Sequence, residues 1–257
     1  MVYATYSTGY RPGGNNRRPQ AKTWTADTLT NYEVGWKLSS NNHRVRLNGA
    51  LFHEEWRGAQ DAIQGQNGIT SIVNAGNART EGIESDLSWL ATDNLNLSIS
   101  GTFVDAKTTS DFCKPTPLGA VIGNQLNCNV TGMEAAAGTQ MPSTPKIKAD
   151  ATARYKFNVG AYESFVQGSA VHESSRTNSL EVPHNLIIGD TPAYTSYDFS
   201  IGTAMNKWTL EAYAKNIFDK RGELGRYSEC GASFCFRNYR IVPIPPLSFG
   251  IKFGQKF

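Results

Sequence analysis

Long apolar runs are missing from this sequence of 257 residues. A membrane-spanning helix needs roughly 18 consecutive apolar residues, so a helical membrane protein is excluded. A membrane β-barrel is not excluded, because its lipid-facing residues stand at alternate positions and disappear in averaged hydropathy. The stretch after Met1, VYATYSTGYRP, also lacks the charged start, apolar centre and cleavage site of a signal peptide. We therefore expect either a cytoplasmic protein or a chain whose true N-terminus lies further upstream.

Charge is also sparse. Charged residues make up 18% of the chain and the net charge is +3, so no strong attraction to polyanions is expected. The densest basic pairs, Arg17-Arg18 and Lys220-Arg221, lie in loop-like segments without an RNA-binding aromatic motif. The composition therefore predicts no nucleic-acid partner.

Cysteine and histidine are scarce, with four of each. The cysteines form no CxxC motif and the histidines are scattered, so no metal site is expected. The cysteines fall into two local pairs within polar stretches, which favours the disulfides Cys113–Cys128 and Cys230–Cys235 and an oxidising compartment. Four reduced thiols in loops are the alternative.

Alternation of apolar and polar residues is the dominant pattern of the chain. In the terminal stretch LSFGIKFGQKF, Phe249, Ile251 and Phe253 alternate with serine, glycine and lysine. In PKIKADATARYKF (145–157), apolar residues share one side and charged or polar residues share the other. A period of two indicates β-strands with one apolar and one polar face. The pattern predicts about ten strands, near residues 2–10, 29–39, 43–57, 79–91, 94–106, 145–157, 161–174, 193–205, 207–219 and 239–257.

The connections between these strands alternate in length. Short turns near 40–42, 92–94, 158–160 and 206–207 alternate with long loops at 11–28, 58–78, 107–144, 175–192 and 220–238. Short turns on one rim and long loops on the other are typical of outer-membrane barrels. A soluble β-sandwich is the alternative, but the long strands, their charged polar faces and the aromatic residues near strand ends favour the barrel. The predicted fold class is all-β: an antiparallel transmembrane β-barrel with short periplasmic turns and long extracellular loops.

Six segments, in order along the chain, resemble a known family. YSTGYRPGG (6–14) is similar to SKGFRPGG, LTNYEVGWKLS (29–39) to SYELGLKS, and LNGALFHEEWRGAQ (47–60) to LNAALFYYDYKDLQ. VNAGNARTEGIESDLSW (73–89) is similar to NAGKARIYGVELEL, AYAKNIFDKR (212–221) to VKNLFDKRY, and PPLSFGIKFGQKF (245–257) to PRTFGLRLSYRF. The chain thus resembles the C-terminal part of the β-barrel of TonB-dependent outer-membrane receptors.

This resemblance implies that residues 1–257 form about ten C-terminal strands of a barrel of about 22 strands. The plug domain, the TonB-binding motif and the signal peptide are expected to be absent from the chain. The implied function is energy-coupled import of a scarce ligand, such as a ferric siderophore, across the outer membrane of a Gram-negative bacterium, without an enzyme reaction or a cofactor. The implied partners are outer-membrane lipid and lipopolysaccharide, the TonB complex through the missing N-terminal part, and the barrel assembly machinery.

The resemblance also assigns roles to residues. Loop residues expected to contact an anionic ligand are Tyr10, Arg11, Arg17, Arg18, Arg221, Arg226 and Tyr227, because cationic forks suit such ligands. Their arginines could instead be solvated or bind lipopolysaccharide phosphates. The loop 107–144 is expected to discriminate between ligands. The C-terminal residues Phe249, Gly250, Phe253 and Phe257 resemble the signal that the barrel assembly machinery recognises.

Two alternatives keep the barrel but change its role. A complete ten-stranded barrel would be a small passive porin. Outer-membrane proteases of similar size use acidic and histidine residues at the outer rim, and His172 with Glu173, together with Asp105 or Asp111, would be the candidates here.

Overall fold

The computed structural model describes residues 1–17, 23–64, 70–113, 133–228 and 238–255. Antiparallel strands dominate these ranges. The strands, in chain order, are β1 (Val2–Arg11), β2 (Gly14–Asn15), β3 (Thr23–Trp24), β4 (Asp27–Ser39), β5 (Val45–Arg57), β6 (Gln60–Gln64), β7 (Thr70–Asn74), β8 (Ala78–Leu90), β9 (Leu95–Thr108), β10 (Phe112–Cys113), β11 (Met133–Ala135), β12 (Ile147–Val159), β13 (Tyr162–Glu173), β14 (Tyr194–Met205), β15 (Trp208–Lys215), β16 (Glu223–Tyr227), β17 (Arg240–Pro243) and β18 (Ser248–Gln255). One helix, α1 (Val182–Ile188), occurs in these ranges, and none there is long and apolar enough to cross a membrane.

Ten of the strands form one sheet in the order β1-β4-β5-β8-β9-β12-β13-β14-β15-β18. Every neighbouring pair is antiparallel. Short turns join these strands at one end, called here the turn end. The four hairpins β2-β3, β6-β7, β10-β11 and β16-β17 lie in the connections at the opposite end, called the loop end. The sheet is open, since β1 and β18 are its edges, and the predicted succession of about ten antiparallel strands is confirmed.

The sheet has an apolar face and a polar face. On β5, β8, β9 and β12, Leu51, Ile83, Phe103 and Ile147 stand directly opposite one another, and each is exposed. On the other face, Asn48 donates to Asp86 at 3.0 Å, and Ser100 bonds Asp150. A sandwich would cover the apolar face with a second sheet, whereas the described part of the chain leaves it open. The two-faced strands therefore match a barrel wall and not a soluble sandwich.

The register also places charged residues of distant strands on the same face of the sheet. Glu33 and Lys37 of β4, and Lys148 and Arg154 of β12, all stand on the polar face. Lys146 lies one residue before β12, in a bend. The alternation thus continues across strands that are far apart in the sequence.

Glycines on the sheet are covered by aromatic rings from neighbouring strands. Tyr3 lies over Gly35, Trp36 over Gly49, Phe52 over Gly82, Phe165 over Gly202 and Tyr213 over Gly250. A Cβ atom added at Gly82 would lie 2.5 Å from the Phe52 ring. It would lie even closer to the carbonyl oxygen of Phe103. A backbone oxygen cannot rotate away as a side chain can, so this position admits only glycine.

We expect Gly82→Val to prevent stable folding of the sheet, because the side chain would force β8 away from β9. The measurement is heat-modifiable migration of the protein in electrophoresis, with and without boiling. Gly168→Val is the matched control, since no atom lies within 4 Å of the corresponding Cβ position. Equal folded fractions for the two variants would contradict the prediction.

Two predicted strand boundaries are wrong. The predicted strand 239–257 is divided: β17 pairs with β16, whereas β18 pairs with β15. Pro245 and Pro246 between them have no N–H to donate to a ladder. The predicted strand 207–219 ends at Lys215, because the chain turns through left-handed conformations at Asn216 and Asp219.

A small buried core lies at the loop end and not within the sheet. Its members come from β7, β10, β11 and the segment before α1: Val73, Ala75, Phe112, Ala135 and Leu180. Phe112 is 1% exposed. The connections predicted as plain loops therefore pack together, which gives the loop end a rigid support.

Candidate ligand site at the loop end

A cavity of about 230 Å³ opens among the loop-end segments. Four segments build it: β6, Pro142 in the connection before β12, the stretch from residue 178 to the end of α1, and β16 with the residue after it. Its walls are formed by Asp61, Ala62, Pro142, Asn178, Ser179, Leu180, Glu181, His184, Ile188, Arg226, Tyr227 and Ser228. The cavity thus joins parts of the chain that are more than 150 residues apart in sequence.

The helix α1 holds one wall of the cavity. A proline stands at its start, where a missing N–H costs nothing. Asn185 accepts the backbone N–H groups of Asn178 at 2.8 Å and Ser179 at 3.2 Å. These bonds fix the preceding segment against the helix.

His184 projects from α1 between two serines. Its Nε2 lies 2.7 Å from Ser228 Oγ, and its Nδ1 lies 3.3 Å from Ser179 Oγ. Burial lowers the pKa of His184, which favours the neutral imidazole at pH 7. His184 therefore contributes a fixed hydrogen-bonding group and no charge.

Asp61 is one of two carboxylate residues that line the cavity, with Glu181. Its Oδ1 accepts the backbone N–H of Ala62 at 2.9 Å, and burial raises its pKa. Among the described residues it makes no ion pair. The cavity consequently retains an acidic group whose charge is not balanced within that part of the chain.

Arg226 lines the cavity but its charge is balanced. Its guanidinium holds Glu223 in a bidentate pair at 2.6 and 3.1 Å, and both side chains are 17% exposed. Its third nitrogen, Nη1, donates to the carbonyl of Ile188 at 3.3 Å. The arginine thus ties β16 to α1 and stabilises the cavity wall.

Arg11 is likewise engaged in a structural cluster, which we call the Asp27 clamp. Asp27 is 1% exposed and accepts bonds from Arg11, the Trp56 indole at 2.9 Å and the Gln60 backbone at 3.1 Å. The Arg11 guanidinium also reaches the Gln60 carbonyl at 3.2 Å. The clamp joins the loop-end termini of β1, β4 and β5 to β6.

The pKa of Asp27 is unusually low. Burial alone would raise its pKa, but the bonds from Arg11, Gln60 and Trp56 lower the pKa to about 2. A tilted strand crosses a bilayer in roughly 9–11 residues. Counted from the turn end at Ser39, that length leaves Asp27 beyond the crossing segment, on the loop side.

The structure does not bring the seven predicted ligand residues together. Arg226 and Tyr227 line the cavity, whereas Arg221 pairs with Asp219 at 2.7 Å on the surface. Tyr10 stands on the apolar face of β1, opposite Thr28. The two remaining positions are Arg17, which is exposed, and Arg18, which lies outside the described residues. The guanidinium groups of Arg11, Arg221 and Arg226 each pair with a carboxylate, and contact of the seven residues with a ligand stays a prediction.

Asp61, Asn178 and His184 are cavity residues that the sequence reasoning missed. The segment EVPHN carried a weak signal, since proline near the start of a short run marks a helix N-terminus. No local pattern could show that β6 and β16 approach this helix.

Only one of the four cysteines lies among the described residues. Cys113 is disulfide-bonded, while Cys128, Cys230 and Cys235 lie outside the described residues. Both pairings therefore stay predictions.

The predicted assembly signal lies on the edge strand β18. Phe249 and Phe253 are 82% and 67% exposed, and Phe253 stacks on Trp208 at 4.9 Å between ring centroids. Gly250 is covered by Tyr213, and Phe257 lies outside the described residues. Recognition by the assembly machinery stays a prediction.

The candidate protease residues are not assembled. His172 stands on the apolar face and bonds Thr195 at 2.9 Å, whereas Glu173 is on the polar face and pairs with Arg176 at 2.7 Å. Asp105 pairs with Lys107, and Asp111 accepts the backbone N–H of Ala137. These four residues therefore do not form a base and water pair.

A family model described as "TonB dependent receptor-like, beta-barrel" matches residues 1–217. The chain belongs to this family. The pesticin receptor of Yersinia enterocolitica is 24% identical to it over 229 residues, which is 86% of this chain and 29% of the receptor. A probable TonB-dependent siderophore receptor, PiuA of Acinetobacter baumannii, is 24% identical over 240 residues, covering 86% of this chain and 28% of that protein.

Solved receptor structures have the same fold. The ferric yersiniabactin uptake receptor FyuA from Yersinia pestis superposes with a TM-score of 0.71 at 20% identity, covering 100% of this chain and 35% of that one. The siderophore receptor PiuA from Acinetobacter baumannii gives a TM-score of 0.69 at 19% identity, over 98% of this chain and 33% of that one. The chain thus spans about a third of the length of these TonB-dependent receptors.

Proposed function

We propose that this chain supplies part of the barrel wall and of the ligand-binding loop end of a TonB-dependent importer. The ligand class proposed is a ferric siderophore or a similar metal chelate. The observation that carries the proposal is the rigid loop-end cavity on a sheet of this receptor family. Relatives named as siderophore receptors support the ligand class. The TonB complex and the barrel assembly machinery are the further partners proposed.

The apolar face is proposed to contact outer-membrane lipid, and the polar face to line the interior. Most wall strands have 12 to 14 residues, which exceeds the roughly 9–11 needed to cross. Trp89, Tyr155 and Trp208 stand near the turn end on the apolar face, where an interfacial aromatic girdle is expected. The reverse orientation would place Arg154, near the middle of β12, in lipid at a cost of up to about 2–4 kcal/mol, and Lys148 closer to the interface at a smaller cost.

The cavity is proposed to contact the organic part of the chelate through hydrogen bonds. The phenol of Tyr227 offers a directional donor and acceptor, and His184 holds the cavity-lining Ser179 and Ser228 in place through its two ring nitrogens. Asp61, with its charge unbalanced among the described residues, suits an amine or amide donor on the ligand. Recognition of an anionic ligand by Arg11, Arg221 and Arg226 stays a prediction beside these contacts.

The test is uptake of radioactive iron carried by siderophores from the culture medium of the source bacterium. We expect His184→Ala and Tyr227→Ala each to reduce uptake at subsaturating ligand about tenfold, equivalent to losing about 1.4 kcal/mol of binding. Leu186→Ala is the matched control, because Leu186 lies on the same helix, is 82% exposed and does not line the cavity.

Folding and energy coupling are controlled separately. An immunoblot against the GIKFGQKF terminus, with and without boiling, shows whether each variant reaches the outer membrane folded. Uptake that persists in the presence of a protonophore, or that is equal in all three variants, would contradict the proposal. Uncoupled, unsaturable uptake would instead support the passive porin.

A further inference from the structure

The loop-end cavity is too small for a whole metal chelate. Its volume of about 230 Å³ lies below the roughly 300–1,000 Å³ of pockets that enclose a drug-sized ligand. A single arm of a chelate fits into such a space, while the rest of the chelate stays outside it. The chemistry of the cavity wall then decides which kind of arm is bound.

The charged side chains of the cavity wall are mainly acidic. Asp61 and Glu181 line the cavity, and Arg226 is the one basic residue among its described lining residues. Glu223 already holds the Arg226 guanidinium through two bonds of 2.6 and 3.1 Å. The Asp61 carboxylate, in contrast, accepts one bond among the described residues, from the backbone N–H of Ala62 at 2.9 Å. The positive charge of the wall is thus neutralised by a neighbour, whereas the charge of Asp61 is not.

The uncharged part of the wall also suits a cation. Burial lowers the pKa of His184, so its imidazole adds no positive charge at pH 7 that would repel one. Tyr227 contributes an aromatic ring and a hydroxyl to the lining. The face of an aromatic ring attracts ammonium groups, and the hydroxyl oxygen accepts hydrogen bonds. These neutral groups therefore add to the preference that Asp61 sets.

A buried hydroxyl on the same hairpin face as Asp61 lacks a partner. Asp61 of β6 stands opposite Val73 of β7, so Ser71, two residues before Val73, shares that face. Ser71 is 2% exposed, and its Oγ has no hydrogen-bond partner among the described residues. Buried polar atoms are nearly always paired. An ammonium group has three N–H donors, so it can bond Asp61 and still offer donors to neighbouring oxygens.

A metal ion fits this wall less well than an organic cation. Calcium and magnesium take about six to eight oxygen ligands. In the part of the chain that the structure describes, no three His, Cys, Asp or Glu side chains come together in a group that could hold a metal ion. An ammonium group is satisfied by one carboxylate and a few neutral acceptors. The wall therefore favours an ammonium group.

We propose that the cavity binds a short arm of the imported chelate that ends in an ammonium group, and that Asp61 is the residue that selects its positive charge. Asp61 forms a charge-assisted hydrogen bond with the arm, and Tyr227 contacts it from the opposite part of the sequence. A neutral arm binds more weakly, because Asp61 then keeps a partly desolvated charge without a partner. The inference rests on the proposed function, since it assigns the cavity to a chelate.

The experiment measures which charge the cavity prefers. The probes are ethanolamine, ethylene glycol and glycolate, which share a hydroxyl-bearing carbon chain and carry a positive, no and a negative charge at neutral pH. The protein is purified in mild detergent from outer membranes of the source bacterium. Binding of each probe is followed by saturation-transfer nuclear magnetic resonance, with titration into the millimolar range because such small ligands bind weakly.

Two variants remove one carboxylate each. Asp61→Asn keeps the side-chain oxygen that accepts the Ala62 N–H. Asp198→Asn is the matched control, because Asp198 is also half-buried, accepts one backbone N–H, that of Asn216 at 2.8 Å, and does not line the cavity. Asp61→Glu retains the charge and tests whether charge alone sets the preference.

We expect the unaltered protein to bind ethanolamine at least about tenfold more tightly than ethylene glycol, and glycolate more weakly than either. Asp61→Asn should reduce this preference to within about twofold, whereas Asp198→Asn and Asp61→Glu should retain it. Absence of ethanolamine binding, equal binding of the three probes, or an equal loss in Asp61→Asn and Asp198→Asn overturns the proposal.

A second variant covers the case in which Asp61→Asn does not reach the membrane folded. Ala62 lines the cavity and is exposed, so Ala62→Lys places a competing ammonium group at the same wall. We expect it to weaken ethanolamine binding by at least about tenfold. Unchanged ethanolamine affinity in Ala62→Lys overturns the proposal.

Iron uptake by the same strains separates this inference from the proposed function. Energy-dependent uptake by the unaltered protein, without a preference for ethanolamine that depends on Asp61, overturns the inference alone. An Asp61-dependent preference for ethanolamine without any energy-dependent uptake supports the cation site and overturns the importer.

Discussion

Replacing Asp27 by alanine is expected to lower the thermal unfolding midpoint of the folded protein by about 5–10 °C. The substitution removes the acceptor for Arg11, Trp56 and the Gln60 backbone. Breaking a buried ion pair costs about 3–5 kcal/mol. Because the Arg11 side chain is 53% exposed and water can replace part of the loss, we expect about 2–4 kcal/mol. The measurement is the temperature at which heat-modifiable migration is lost.

The pH dependence of protein stability tests whether the Asp27 clamp causes this loss of stability. The pKa of folded Asp27 is about 2, below the ordinary 3.8. A depressed pKa contributes stability that is present above about pH 4 and is lost as the pH falls towards 2. Over this pH window the free energy of unfolding of the unaltered protein should fall by at most about 2 kcal/mol. The same decrease should be absent in Asp27→Ala.

Asp93→Ala is the matched control for the Asp27 clamp. Asp93 also pairs with an arginine, Arg44, at 3.1 Å, but its side chain is 90% exposed. We expect Asp93→Ala to change the free energy of unfolding by no more than about 0.5 kcal/mol. Equal midpoints for Asp27→Ala and the unaltered protein, or parallel pH profiles, would show that the clamp does not hold the loop end.

The wall of the barrel could be predicted from the sequence because each strand carries its own signal. A strand such as β12 alternates apolar and charged residues over its whole length, and period two admits no other regular structure. The two faces of each strand followed as well, since a slip of one residue would exchange them. The breaks at Asn216 and at Pro245 were missed, because a continued alternation concealed a turn and a proline pair.

The loop end could be predicted only in outline. Long connections showed where ligand contacts should lie, but the Asp27 clamp joins Arg11 to a carboxylate 16 residues away and to Trp56 on a third strand. Whether an arginine is free or paired depends on such contacts, which no spacing rule encodes. The cavity shows the same limit, because Asp61 and His184 line one cavity only through the packing of four segments.

Asn216 fastens the turn that the family signature KNIFDKR encodes. It adopts a left-handed conformation, with φ of 49°, and is 4% exposed. Its side chain donates to the carbonyls of Lys220 at 3.0 Å and Pro245 at 2.9 Å, and accepts the Lys220 N–H at 2.8 Å. One buried amide thereby sets the path from β15 to the start of the edge strand β18.

Asn216→Ala is therefore expected to lower the free energy of unfolding by about 3–4 kcal/mol. Three lost hydrogen bonds account for about 1 kcal/mol each, and the left-handed conformation adds about 1 kcal/mol for alanine. Asn216→Gly should recover about 1 kcal/mol of this, because glycine adopts that conformation freely. The same thermal midpoint measurement applies.

Asn206→Ala separates strain from hydrogen bonding. Asn206 also has a left-handed φ, of 54°, but lies exposed in the tight turn between β14 and β15. Its replacement should cost only the conformational part, about 1 kcal/mol. Since β15 is the one strand that pairs with β18 among the described residues, Asn216→Ala should also expose β18 first, seen as earlier proteolysis at the C-terminus. Equal costs at the two asparagines would mean that the buried amide network does not position the edge strand.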